Sequence, residues 1–89
     1  MRAIVTVIGK DRVGIIANVC SILAGNGVNI LDISQTVMRE YFTMIMLVDT
    51  SGSTTQFAEL SKTLDERGKE QDLSIRIQRE DIFDAMHRI

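Results

Sequence analysis

Two segments of the chain carry apolar side chains on both faces of an extended strand, and this pattern constrains the fold most strongly. The first, Ala3 to Ile8, is rich in β-branched residues, and the second, Tyr41 to Asp49, is the longest strand-like run. A strand that is apolar on both faces lies inside a sheet, with a layer covering each side. The two segments therefore predict the central strands of a sheet.

Five further segments complete the order of elements. Apolar residues at helical spacing predict helices, and alternating or continuous apolar runs predict strands. In chain order they are a helix at Val13–Gly25, a strand at Val28–Val37, a helix at Thr54–Glu70, an edge strand at Leu73–Gln78 and a helix at Arg79–Ile89. With 89 residues, the chain is expected to form a single α+β domain.

The element order predicts a ferredoxin-like βαββαβ sandwich, with a four-stranded antiparallel sheet and two helices on one face. Residues 1–79 would form this core, and residues 80–89 a short C-terminal helix. An irregular alternation in the second strand indicates a bulge near Leu31 and Asp32. The pair Ser53 and Gln56 fits a capping box for the second long helix, and Gly68 is expected to weaken that helix's last turn.

The loop Gly9–Gly14 joins the first strand to the first helix and is the first candidate for a binding site. It contains two glycines and the charged residues Lys10, Asp11 and Arg12. A helix N-terminus exposes backbone N–H groups that attract a carboxylate or phosphate. The alternative is that the glycines serve only the turn and that Asp11 only caps the helix.

Charge and cysteine content restrict the class of function. The net charge is −2, with acids and bases interspersed, which argues against nucleic-acid or anionic-membrane binding. The single cysteine, Cys20, excludes an intrachain disulfide and a multi-cysteine metal site. No segment resembles a signal peptide or a transmembrane helix, so a cytoplasmic protein without a cofactor is expected.

Three stretches together resemble the ACT family of regulatory domains. They are "GKDRVGIIANV" at 9–19, "GNGVNILDIS" at 25–34 and "FTMIMLVD" at 42–49, and their order and spacing match the family over residues 1–79. The tail "REDIFDAMHRI" at 79–89 looks like that of a small stand-alone bacterial and archaeal subgroup. No catalytic domain accompanies these motifs, so the resemblance implies a non-enzymatic module that regulates a separate protein.

The resemblance also implies a ligand site, most often for an amino acid, between the first loop of one protomer and the second strand of a neighbour. The positions that match are Asp11, Arg12, Val13, Gly14, Ile15, Asn29 and Ile30. Backbone N–H groups of the loop would meet an α-carboxylate, and Asp11 would accept from the α-ammonium. Arg12 could instead be solvated, and Asn29 could serve only the turn after Gly27.

The sequence leaves three alternative functions open. Arg12 and Asn29 superficially match the arginine and asparagine that hold the phosphate in acylphosphatase. Tyr41 and Phe42 superficially match the aromatic residues on which RNA-binding modules stack bases. A dimerisation module without a ligand is a third alternative. Cys20 is expected to be a buried inert thiol, and His87 a surface or packing residue. Core or interface packing is expected for the methionines, namely Met38, Met44, Met46 and Met86.

The two-sided strands also predict an oligomer. If Val5, Val7, Met44 and Met46 face the helices, then Ile4, Ile8, Ile45 and Leu47 lie on the open face of the sheet. An apolar face of this kind would be covered by the C-terminal helix or by a second protomer. A homodimer or higher homo-oligomer is therefore expected.

Overall fold

The predicted βαββαβ order is confirmed by a computed structural model, which describes residues 1–82. The elements are β1 at Arg2–Lys10, α1 at Ile15–Gly25, β2 at Asn29–Met38, β3 at Tyr41–Asp49, α2 at Phe57–Glu70 and β4 at Leu73–Arg79. The strands form one antiparallel sheet in the order β2-β3-β1-β4. This is the ferredoxin-like sandwich expected from the sequence, with β1 and β3 at its centre.

The core lies between the sheet and the two helices. Alternate residues of β1 and β3 are completely buried there, including Val5, Val7, Met44 and Met46. They pack in one cluster with the apolar stripes of both helices, which are Ile15, Val19, Ile22 and Leu23 of α1 and Leu60 and Leu64 of α2. As predicted, the opposite set lies on the open face of the sheet, where Ile8 and Ile45 are exposed and Ile4 and Leu47 are half-buried.

Both helices begin later than predicted, and neither the alternative cap at Asp11 nor the predicted capping box at Ser53 forms. The cap of α1 is Gly14, not Asp11, and α1 starts at Ile15. The cap of α2 is Gln56, and the capping box is wrong because the Ser53 hydroxyl donates to the Thr55 carbonyl oxygen at 2.8 Å instead. Side chains of this type form local turns as readily as helix caps.

The bulge predicted in β2 is confirmed, and the strand is the most exposed in the sheet. The register with β3 shifts between Ile30 and Asp32. Apart from half-buried Ile30, every residue of β2 is exposed, including Ile33 (40%) and Val37 (54%), which share the helix-facing side with Ile30. The helices therefore leave the helix-facing side of β2 uncovered, and its outer edge is unpaired within residues 1–82.

Gly68 has a packing role that the sequence did not indicate. It is buried in α2, where an added Cβ would lie 2.9 Å from the Leu73 carbonyl oxygen and 3.0 Å from Ile75 Cγ1. The glycine therefore allows α2 to approach β4 closely.

Gly68→Ala is accordingly expected to destabilise the fold, although alanine favours helix by about 1 kcal/mol. Overpacking of a tight site costs roughly 1–3 kcal/mol, so a net loss of up to about 2 kcal/mol should appear in urea unfolding. Glu66→Ala, at an exposed position of the same helix, should change stability by less than about 0.5 kcal/mol. A Gly68→Ala protein more stable than the parent would contradict the close approach.

The chain turns into a helix again at residues 80–82. Glu80 accepts from the Arg2 guanidinium at 2.6 Å, which ties the end of β4 to the start of β1. The rest of the predicted C-terminal helix, with Met86 and His87, lies outside the described residues. Within residues 1–82, no helix combines the length and the hydropathy needed to cross a membrane.

Candidate ligand-binding groove

The loop between β1 and α1 is held in a defined conformation that exposes the helix N-terminus. Gly14 has a φ of 92°, a left-handed conformation that favours glycine. The Asp11 amide donates to the Glu40 carbonyl oxygen at 2.7 Å, which ties the loop to the β2–β3 turn. The Arg12 guanidinium donates to the Gln71 carbonyl oxygen and ties the loop to the α2–β4 turn.

The N-terminus of α1 has no side-chain cap. Its first intrahelical hydrogen bond runs from the Asn18 amide to the Gly14 carbonyl oxygen at 2.9 Å. The amides of Ile15, Ile16 and Ala17 therefore precede the hydrogen-bonded part of the helix and are available to an acceptor outside it. Such amides, together with the positive end of the helix dipole, favour a carboxylate.

A groove of about 550 Å³ opens from this helix end along the uncovered side of β2. The loop forms one end of the groove, α1 forms a wall, and β2 with the adjoining part of β3 forms the floor. The lining residues are Asp11, Arg12, Gly14, Ile15, Ile16, Ala17, Cys20, Gln35, Val37 and Phe42. The volume lies in the range usual for small-molecule sites, and the lining combines charged groups at one end with apolar side chains elsewhere.

Four of the seven residues predicted for the site line this groove, namely Asp11, Arg12, Gly14 and Ile15. Val13 lies in the same loop but is fully exposed and points away from the lining. Asn29 and Ile30 do not line the groove.

Asn29 and Ile30 lie at the opposite end of the sheet from the loop. Asn29 pairs with Asp49 of β3, which in turn pairs with Arg2 at the start of β1. The loop follows the other end of β1, where Lys10 pairs with Tyr41. At about 3.4 Å per residue the two ends are about 27 Å apart along the strands. Within one chain, these two residues cannot meet a ligand at the loop.

A separate hydrogen-bond cluster occupies that far end. The Ser51 hydroxyl and amide both donate to the Asp49 carboxylate, at 2.6 and 2.9 Å. These hydrogen bonds lower the pKa of the Asp49 carboxyl below its usual value. The cluster orders the loop after β3 and is remote from the groove.

The same geometry removes the support for two alternative functions. Arg12 and Asn29 stand at opposite ends of the sheet, so one chain cannot place both on the same phosphate as acylphosphatase would require. Tyr41 lies on the open face of the sheet, whereas Phe42 is only 4% exposed beneath the helices. The two aromatic side chains therefore do not form a shared base-stacking platform.

Several groove residues were not predicted to belong to a site. Gln35 and Val37 reach the groove because the bulge places them on the helix-facing side of β2. Cys20 is half-buried and lines the groove, so its prediction as a buried thiol is wrong. The spacing of Ile16 and Cys20 could have indicated that both line the groove, because residues four apart in a helix lie on one face.

The groove contains no preformed metal site. Among residues 1–82, no three or more His, Cys, Asp or Glu side chains are grouped so that they could hold a metal ion. The described lining of the groove offers main-chain amides, one carboxylate, one guanidinium, one amide side chain and an apolar surface.

Comparison with known sequences identifies the family. A family model described as ACT domain matches residues 2–78. A UPF0237 protein of Clostridium acetobutylicum is 61% identical over 89 residues, covering 100% of both chains. A UPF0237 protein of the archaeon Methanocaldococcus jannaschii is 52% identical over 88 residues, covering 99% of this chain and 98% of that protein. The resemblance to small stand-alone bacterial and archaeal proteins is thus confirmed.

A solved structure supports the same assignment. The ACT domain protein from Streptococcus pneumoniae superimposes with a TM-score of 0.83 at 45% sequence identity, covering 98% of each chain. The chain therefore belongs to the ACT domain family.

Proposed function

We propose that this ACT domain is a cytoplasmic regulatory module that binds an amino acid in the groove between α1 and β2. The observation that carries the proposal is the groove itself, which joins uncapped amides and a free carboxylate to an apolar floor. Binding would occur at an interface between two copies and would be transmitted to a separate partner protein. The mechanism is a population shift, in which the ligand favours one assembly over another.

The loop end of the groove is complementary to the two charges of an amino acid. The α-carboxylate would accept hydrogen bonds from the amides of Ile15, Ile16 and Ala17. The Asp11 carboxylate has no hydrogen bond or ion pair with any other group within residues 1–82 and would accept from the α-ammonium. Arg12, whose guanidinium already holds Gln71, would mainly keep the loop in place.

The uncovered edge of β2 supports a second copy as the other half of the site. An unpaired strand edge with exposed apolar side chains is a template for strand pairing. In an antiparallel β2–β2 pair around a twofold axis, the start of each strand lies beside the end of the other. Ile30 of the second copy would then lie beside Val37 at the groove, and Asn29 of the second copy beside Met38 on the open face of the sheet.

A thermal-shift series with the common amino acids tests the proposal. A ligand present at a hundred times its dissociation constant stabilises the fold by about 2.7 kcal/mol, which raises Tm by several degrees. Asp11→Ala should weaken binding by about 10- to 100-fold, because it removes a charge-assisted hydrogen bond. Asn29→Ala should also weaken it. Glu66→Ala, which removes an exposed carboxylate of α2, should leave the shift unchanged.

Two results would contradict the proposal. A ligand whose shift survives both Asp11→Ala and Asn29→Ala would bind elsewhere on the protein. If no amino acid raised Tm while the protein remained dimeric, the alternative of a dimerisation module without a ligand would be correct.

A further inference from the structure

The part of the groove that lies away from the loop differs in character from the loop end. Its walls and floor are formed by Ile16 and Cys20 of α1 and by Val37 and Phe42 of the sheet. Ile16 and Val37 are 37% and 54% exposed although each faces the groove, so apolar surface is left uncovered there. Gln35 is the one side chain with an amide in the described lining, and the two charged side chains, Asp11 and Arg12, lie at the loop end.

We propose that the groove selects an amino acid with a branched or unbranched aliphatic side chain, such as leucine, valine or methionine. The proposal rests on the proposed function, which supplies the amino acid, and adds the chemical class of its side chain. With the α-carboxylate at the helix N-terminus and the α-ammonium at Asp11, the side chain extends along α1 over Cys20 and Phe42. Burial of that side chain also covers the exposed surfaces of Ile16 and Val37.

A charged side chain is disfavoured at this position. An acidic or basic group beside Cys20, Val37 and Phe42 would lose hydration without gaining a counter-ion, and unpaired charges are costly to bury. A hydroxyl group could reach Gln35 but would leave the apolar surface open to water. The aliphatic class is the one that matches the lining over its whole length.

Cys20 determines how long the bound side chain can be. It lies one helical turn after Ile16 on the same face of α1, and it is small, so the groove remains deep at this position. A leucine at position 20 would occupy the space that we assign to the end of the ligand's side chain. Cys20 is therefore a specificity-determining residue and not a nucleophile.

Calorimetric titration of the full chain with alanine, valine, leucine, serine, aspartate and lysine tests whether the groove selects an aliphatic side chain. Leucine and valine should bind at least about tenfold more tightly than alanine or serine, because each buried methylene group contributes this order of discrimination. Aspartate and lysine should bind more weakly still.

Two variants then test whether the side chain of the ligand lies over Cys20. Cys20→Leu should weaken leucine binding by at least about tenfold and change alanine binding by less than about threefold. Ala24→Leu introduces the same side chain one turn later on α1, at an exposed position outside the groove lining. It should change neither the affinity for leucine nor the affinity for alanine.

Alkylation of Cys20 provides a readout that does not depend on affinities. Cys20 is the only cysteine of the chain, so mass spectrometry after treatment with iodoacetamide reports the groove directly. Saturating leucine should slow the alkylation at least about fivefold, whereas the same concentration of aspartate should not. An unchanged alkylation rate in the presence of bound leucine would overturn the placement.

The outcomes separate this proposal from the one on which it rests. If serine, aspartate or lysine bound most tightly and lost affinity in Asp11→Ala, the aliphatic class would be wrong and the proposed function would stand. If no amino acid bound, both would fail. If leucine bound equally well to Cys20→Leu and to the parent protein, the side chain would lie elsewhere and the inference would be overturned.

Discussion

Gly27→Ala is expected to lower the free energy of unfolding by about 2–5 kcal/mol. Gly27 follows Asn26, the C-terminal cap of α1, and has a φ of 76°, and its amide donates to the Ala24 carbonyl oxygen at 3.0 Å. An added Cβ would overlap the carbonyl oxygen of Gly52, which belongs to the backbone of the next loop. The left-handed conformation costs alanine roughly 1–2 kcal/mol, and the overlap adds roughly 1–3 kcal/mol.

Thermal unfolding measures this loss, which corresponds to a decrease in Tm of roughly 8–40 °C for a domain of this size. Gly25→Ala is the matched control, because Gly25 ends the same helix, has no positive φ and has nothing within 4 Å of an added Cβ. That change should be neutral or stabilising by up to about 1 kcal/mol. Equal effects of the two substitutions would show that the contact between the two loops does not determine stability.

The double variant Ile33→Lys with Val37→Lys is expected to convert the proposed dimer into a monomer. Both side chains are exposed on the helix-facing side of β2, so their replacement should leave the monomer folded. In a β2–β2 pair, Ile33 would lie next to the twofold axis and Val37 beside Ile30 of the second copy, so lysines at both positions would bring like charges from the two copies together. Such a juxtaposition costs several kcal/mol, so the dissociation constant should increase by at least about 100-fold.

Light scattering at micromolar concentration measures the change, because one chain has a mass of 10.0 kDa and a dimer twice that mass. Thr36→Lys provides the control, since Thr36 lies on the same strand and pairs with Thr43 on the open face of the sheet. It should leave the dimer intact. If instead Thr36→Lys and Ile45→Lys produced monomers and the double variant did not, the copies would associate through the open face.

The strand order and the inward faces of β1 and β3 could be predicted from the sequence. Val5, Val7, Met44 and Met46 alternate with outward residues, and this alternation follows directly from the pleat of a strand. Long apolar stripes likewise predicted both helices. The bulge in β2 was predictable because Asp32 interrupts the alternation where a hydrophobic residue was expected.

Helix ends and side-chain roles were less predictable. Asp11 and Ser53 both have the chemistry of an N-cap, but neither caps a helix in the structure. The sequence "GNG" contains two candidate glycines, and only Gly27 takes the left-handed conformation. Gly68 was predicted to weaken α2, whereas its role depends on Leu73 and Ile75, which α2 meets only after the chain has folded back.

The candidate site shows the same division. The loop residues Asp11, Arg12, Gly14 and Ile15 were predicted and do line one cavity. The floor and wall, which include Cys20 and Val37, were not predicted. These residues line the groove because α1 packs on the sheet without covering β2. The lateral position of α1 on the sheet therefore decides which residues belong to the site.

The amino-acid sequence by itself determined the order of the elements, the identity of the central strands and the loop that joins β1 to α1. Those features depend on spacings of two to four residues, which side-chain polarity records directly. Only the tertiary structure decided that β2 remains uncovered, that a groove forms beside α1, and that Asn29 lies at the opposite end of the sheet. These features depend on the lateral position of a helix and on the register of distant strands, and no local pattern of residues specifies either.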